Sequence, residues 1–227
     1  MVTVMACRFQ SAGAPDAPRT TTDAPHPLTD ATPDAAGSVP GCANGALPEA
    51  FTNPTACQPW GDANMTLAGV TEGSGQLVVM PNSNAVSFGG CTAANSDAST
   101  AFGSAGEFVE VAMALTGGPA YTALNAYPTN TGVSSTLDIS GGFLKLLSGA
   151  NSIVAETYEP TSMRWLRLRP VVTGVEGDIS ADGVTWSAFG VVTGEPPAEI
   201  LINFGAGTTS GVASPGTAVF ENLDTCP

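Results

Sequence analysis

Apolar and polar residues alternate most regularly in the segment MRWLRLRPVVTGVEGDISADGVTWSAF, residues 163–189. In an extended chain Leu166 and Leu168 fall on one side, and Trp165, Arg167 and Arg169 on the other. The alternation breaks at residues 170–173, resumes, and breaks again at 180–183, where Asp182-Gly183 supplies the positive φ of a hairpin. The pattern predicts three antiparallel strands. A four-residue first turn sets Arg167 opposite Glu176, Trp165 opposite Asp178, and Leu168 against Val175 on the core side. The second turn sets Trp186 across from Gly177, an aromatic covering a glycine, with Ile179 and Val184 beside them. Opposite charges across a sheet contribute ~0.2–1 kcal/mol each, so the arginines read first as an ion-pair ladder on a solvent face. The sharper alternative makes Trp165, Arg167 and Arg169 a ligand-binding face.

The same alternation recurs along the chain. In EFVEVAMAL, residues 107–115, Val109, Val111, Met113 and Leu115 share a face. Glu107 has their parity and is expected at the strand's wet end, while Phe108 and Glu110 point the other way. Residues 199–204 place Ile200, Ile202 and Phe204 inward. Further strands are expected at 65–70, 76–80, 86–91, 121–127, 143–147, 152–158, 184–189 and 217–223, most of them separated by Gly, Pro, Asn or Ser. Short strands so spaced predict an all-β antiparallel sandwich or barrel. No segment shows a helical period, and no apolar run is long enough to span a bilayer.

Two spaced motifs sharpen this expectation. Trp165-Leu166-Arg167-Leu168-Arg169 reads W-x-R-x-R, and Ser180-Ala181-Asp182-Gly183-Val184-Thr185-Trp186 reads S-x-D-G-x-x-W. The pair resembles a segment of bacterial concanavalin A-like lectin/glucanase domains, laminin-G-like jelly rolls found on secreted and surface proteins. The strict motif covers a small part of the chain, and a looser strand pattern extends the likeness from about Leu47 to the C-terminus. The resemblance implies a concanavalin-like jelly roll in which these residues are structural rather than catalytic.

Composition agrees with a β domain. Only 11% of the 227 residues are charged, against 27 glycines and 18 prolines, whereas a helical surface would need Glu and Lys. A domain of this size buries most of its apolar surface without needing a metal. The net charge of −14, with six basic residues, excludes a nucleic-acid partner, because such a surface repels phosphates. Anionic membranes repel it too, so membrane attachment is expected only through a covalent lipid.

The N-terminus supplies a candidate for that lipid. Val4-Met5-Ala6-Cys7 resembles a bacterial lipoprotein cleavage box, though only six residues precede the cysteine, so residues 1–7 read as the remnant of a signal. Lipidation is expected at Cys7. Residues 8–40 are dominated by Ala, Pro, Asp, Thr and Ser, without hydrophobic period, and read as a disordered acidic tether. Residues 41–227 then form the sandwich of an exported, lipid-anchored protein of the bacterial envelope or outer surface. Four cysteines remain, and in an exported domain they favour two disulfides with three possible connectivities. Because first and last strands of jelly rolls commonly pair, the resemblance favours Cys42–Cys226 and Cys57–Cys91.

Catalytic chemistry is scarce. The single histidine, His26, sits in the tether, which removes Ser-His-Asp and Cys-His catalysis and histidine metal sites from the folded domain. Glycoside hydrolysis needs only two acids, but the i, i+3 pair Glu107 and Glu110 points to opposite faces of a strand. The pair also lacks the central Asp and final acid of the E-x-D-x-x-E strand motif of the glucanases of this fold. Glu156 and Glu159 fail similarly. No P-loop or dinucleotide fingerprint follows a strand, and no Cys or His spacing defines a zinc site. Calcium stays open through loop donors Asn82, Asn84, Asn95, Asp97 and Asp138, although no spacing defines a cage. No cofactor is otherwise implied. For sugar binding, an aromatic platform beside hydrogen-bonding groups is wanted. Trp165 with Arg167 and Arg169 is one such set, Tyr158 with Glu156 another, and Tyr121, Tyr127 and Trp60 could add surface. The expected function is non-catalytic binding of a glycan or another surface ligand. The competing expectation is a structural or protein-binding module of the envelope, with a glycosidase third. Sugar binding predicts exposed aromatics on one sheet face or loop rim, a structural module predicts Trp165 covered and the arginines fully paired, and an enzyme predicts two acids about 5–10 Å apart in a cleft.

Overall fold

The computed structural model describes residues 50–58, 61–92 and 100–226. The expected lipidation at Cys7, the tether, His26, Cys42, Trp60, Asn95 and Asp97 lie outside the described residues, as does the side chain of Cys226. Two antiparallel sheets face each other. The first contains β1 (Asp62–Thr66), β4 (Ser87–Thr92), β5 (Thr100–Ala101), β7 (Ala120–Pro128), β8 (Ser135–Ser140), β9 (Phe143–Ser148), β10 (Asn151–Thr157) and β14 (Glu199–Thr208). The second contains β2 (Ala68–Gly73), β3 (Gln76–Pro81), β6 (Gly106–Met113), β11 (Trp165–Val171), β12 (Gly174–Ser180), β13 (Ser187–Thr193) and β15 (Ala218–Cys226). In space the orders are β1-β4-β14-β7-β8-β9-β10, with β5 beside β14, and β13-β12-β11-β6-β15-β3-β2.

Alternation builds the core. Leu77, Val79, Val109, Val111, Leu166, Leu168, Phe220 and Leu223 from the second sheet meet Leu124, Leu137, Ile139, Leu144, Leu146, Ile200, Ile202 and Phe204 from the first, all essentially inaccessible. Phe204 meets Phe220 edge to face at 5.1 Å, a geometry the ring quadrupoles favour. Cys57 and Cys91 form a disulfide at the β4 end of this core, as expected.

Several expectations are corrected. In the meander Arg167 pairs with Asp178, Arg169 with Glu176, Leu168 with Gly177 and Trp165 with Ser180, two residues from the expected register. The first turn is only Val172 and Thr173, because Pro170 stays in the strand opposite Val175. It can do so since β6 pairs β11 only through Trp165–Leu168, leaving the proline side without a ladder partner. Trp186 does not oppose Gly177, whose partner is Gly190. The turn after β12 is lengthened by the Asp182 carboxylate, which accepts from the backbone N–H groups of Val184 and Thr185, so β13 begins at Ser187.

The strand expected at 65–70 is two strands in different sheets, broken at Leu67, whose φ of 53° turns the chain. Met113 is exposed rather than inward, because a register shift against β15 reverses its parity after Val111. Glu107 is not at a wet end but wholly buried. β8 was not anticipated: its outward Thr136, Asp138 and Ser140 give STLDIS the composition of a loop.

Candidate functional site

The outer face of the second sheet carries Trp165, Arg167 and Arg169, three of the residues expected to bind a ligand, and each is engaged by neighbouring side chains. Arg167 Nε donates to Asp178 Oδ2 at 2.9 Å, and Arg169 Nε donates to the same oxygen at 3.0 Å. Arg169 also pairs with Glu176, and the Arg167 guanidinium lies 4.2 Å over the Trp186 ring. Trp165 is 8% exposed; it packs on Phe108, and a Cβ on Gly183 would come within 2.9 Å of its ring. Covered tryptophan and paired arginines are what the structural reading required. Tyr158 is buried in the main core, its hydroxyl pKa pushed up to about 12 by burial, while Glu156 is exposed on β10 of the other sheet. These two do not share a surface.

The same outer face holds an acid pair that spacing could not reveal. Glu110 and Glu221 are directly opposite across β6 and β15. Arg164 bridges them: its Nε donates to Glu110 Oε1 and its Nη2 to Glu221 Oε2 at 2.9 Å. Asn222 Nδ2 donates to Glu110 Oε2 and Gln76 Nε2 to Glu221 Oε1, each at 2.7 Å. All four carboxylate oxygens are thus occupied, an arrangement that fixes strands rather than moves protons.

The outer face of the first sheet is different. Residues directly opposite in a ladder point to the same face, so three rows can be read across it. Asn203 lies between Thr92 and Asn125, with Thr136 beyond. Gly205 lies between Gly90 and Ala123, with Asp138 and Lys145 beyond. Gly207 lies between Phe88 and Tyr121, with Ser140 and Phe143 beyond. Two positions of the middle row, Gly90 and Gly205, require glycine. A Cβ on Gly90 would stand 2.1 Å from the Phe204 carbonyl, and one on Gly205 2.2 Å from that of Gly89. A bare backbone strip therefore runs between amides on one side and aromatic rings on the other.

Hydrogen bonds orient the groups along the strip. Asn125 Nδ2 donates to Asn203 Oδ1 at 2.9 Å and to its carbonyl at 3.1 Å, and Thr136 Oγ1 donates to Asn125 Oδ1 at 2.7 Å. This fixes the Asn203 oxygen on Asn125, and no acceptor for its NH2 is found among the described residues. Lys145 Nζ donates to Ser140 Oγ at 2.8 Å, and Ser140 donates to Asp138 Oδ1; among the described residues none donates to Oδ2. Burial raises the Asp138 pKa, against the lowering effects of Ser140 and Lys145. Burial also raises the Tyr121 hydroxyl, aided by Asp138 and Tyr127. Tyr127, 42% exposed, stands two residues along from Asn125 on the same face. Sequence reasoning named Tyr121, Tyr127 and Asp138 separately and missed Asn125, Asn203, Thr136 and Lys145. Their shared parity, at 121–127 and 201–207, was the available signal.

For calcium, Asp138 is committed to Ser140 and faces Lys145, while the backbone N–H groups of Asn82 and Asn84 donate to Leu67 and Val212 in turns. Among the described residues no three His, Cys, Asp or Glu side chains converge as a metal site.

No protein-family model and no curated protein matches the sequence. Among solved structures, a GlcNAcα1-4Gal-releasing endo-β-galactosidase from Clostridium perfringens matches with a TM-score of 0.55 at 12% identity. The match covers 84% of this chain but 64% of that one, so the chain spans less than two thirds of the enzyme's length. The fold is a concanavalin A-like β-sandwich. A functionally unknown protein from Saccharomyces cerevisiae matches with a TM-score of 0.44 at 14% identity, over 74% of this chain and 97% of that one. A GH32 β-fructofuranosidase from Bombyx mori does so with a TM-score of 0.34 at 10% identity, over 74% and 42%. The concanavalin A-like sandwich is thus shared with a glycoside hydrolase, and the likeness extends to fold alone.

Proposed function

We propose that this chain is a non-catalytic module that binds an uncharged glycan on the outer face of its first sheet. The observation that carries the reading is the Asn203 amide, whose oxygen is held by Asn125 beside the Gly90–Gly205 strip. Sugars need such oriented donors and acceptors next to a ring for their apolar face, and Tyr121, Tyr127, Asp138 and Lys145 supply them. A net charge of −14 disfavours acidic polysaccharides.

Hydrolysis is disfavoured by distance. Among the described side chains, the other acid whose register places it on this face is Glu199. It stands ~20 Å from Asp138 by strand rise and spacing, whereas a glycosidase pair needs about 5–10 Å. A module binding another envelope protein is the second reading, favoured by the closed network around Trp165 on the opposite face.

The binding reading is tested by calorimetric titration of neutral oligosaccharides into wild type and the Asn203→Ala and Tyr121→Ala variants. Each substitution is expected to weaken binding at least tenfold, the loss of about 1.4 kcal/mol that one hydrogen bond or ring contact supplies. Unchanged affinity in both variants contradicts the assigned face.

We further propose that the module is exported and held at the bacterial envelope by a lipid on Cys7. The Cys57–Cys91 disulfide supports an oxidising compartment. The mass of the native protein's N-terminal peptide tests this, an unmodified Cys7 overturning it.

A further inference from the structure

Glu107 is the one core carboxylate for which the described residues supply no counter-charge and no hydrogen bond. It is fully inaccessible, and neither side-chain oxygen has a hydrogen-bond partner. Its neighbours in the sheet are Leu168 on β11 and Thr225 on β15, and Val109 and Val111 continue its face along β6. The nearby charges, Glu110, Arg167, Arg169 and Asp224, belong to the outer face of the same sheet. From the opposing sheet, the inward side chains of β4, β7, β8, β9 and β14 carry no charge; Thr122 and Ser135 contribute only hydroxyls. Burial alone therefore acts on its proton affinity, and raises it well above the ordinary glutamate range.

An ionised carboxylate so placed forfeits its hydration and gains nothing in return, whereas the neutral acid costs only its unmade hydrogen bonds. We propose that Glu107 is a proton-dependent weak point of the sandwich: the chain folds with this carboxyl neutral, and conditions that favour its ionisation loosen the β6–β15 seam. The sign follows from linkage. Between the unfolded glutamate value of about 4.3 and the raised folded value, the native state holds one more proton than the unfolded state. Stability from this group is therefore complete below about pH 4.3 and is lost as pH rises through the folded value.

Urea unfolding of the full chain between pH 5 and 9, for wild type, Glu107→Gln and Glu107→Leu, tests the proposal. Contributions from Asp138, Glu176 and Asp182 are common to all three and cancel in the difference. Relative to Glu107→Gln, the wild-type folding constant is expected to fall about tenfold per pH unit from about pH 5 up to the raised folded value and to level off above it. Parallel curves overturn the proposal. Glu107→Leu is expected to exceed wild type in stability at pH 8, and a leucine variant weaker than wild type there also overturns it. If neither variant folds, a carbon-13 titration of wild-type Glu107 decides: a midpoint in the ordinary glutamate range contradicts the proposal, and one well above it supports it.

Discussion

Trp165 is held on one side by Phe108 and on the other by the backbone of Gly183, whose φ of 71° suits glycine and whose missing side chain admits the ring. Replacing it by alanine empties that space, and the expected cost is about 3–5 kcal/mol in urea unfolding. A loss below 1 kcal/mol would mean that the ring is a surface platform after all. Asp182 offers a second reading at this scale. Backbone N–H groups of Thr185 and Val184, then the Ser180 hydroxyl, lower its pKa to about 2. Its stabilisation of the turn is complete above the unfolded value of about 3.9 and is lost as pH falls through about 2. A carbon-13 titration of Asp182 with an ordinary midpoint would contradict the turn geometry. Single residues were the least legible part of the sequence. Alternation assigned Trp165 to an outward face, but whether a face is covered depends on side chains from distant strands, such as Phe108.

At the scale of elements, the meander was legible because each of its strands alternates and its second turn carries Asp182-Gly183. Its register was not, since a proline normally announces a turn and Pro170 instead occupies an unladdered strand end. The corrected register gathers Arg167 and Arg169 on one carboxylate, Asp178, which is 2% exposed. Asp178→Ala leaves two partly buried guanidinium groups short of a partner, and a loss of about 3 kcal/mol is expected. A double-mutant cycle with Arg167→Ala should show strong coupling; additive losses would mean that the bridge contributes little. Met113 shows the other limit: a bulge after Val111 turns it outward, and nothing local in EFVEVAMAL announces one.

For the whole molecule, strand spacing implied a sandwich or barrel and the motif resemblance implied the sandwich, whereas the assignment of strands to sheets followed from neither. The break at Leu67 sends β1 and β2 to different sheets through one residue. The outer faces diverge accordingly, one closed by ion pairs and aromatic contacts, the other opened by Gly90 and Gly205. The central claim is that the open face binds a glycan. A glycan array probed side by side with wild type and Asn203→Ala tests it most directly, with equal melting temperatures as the control. The account predicts that wild type takes a defined class of uncharged glycans and that the variant loses most of that signal. Absence of binding by wild type, or equal binding by the variant with loss in Arg169→Ala instead, would contradict it.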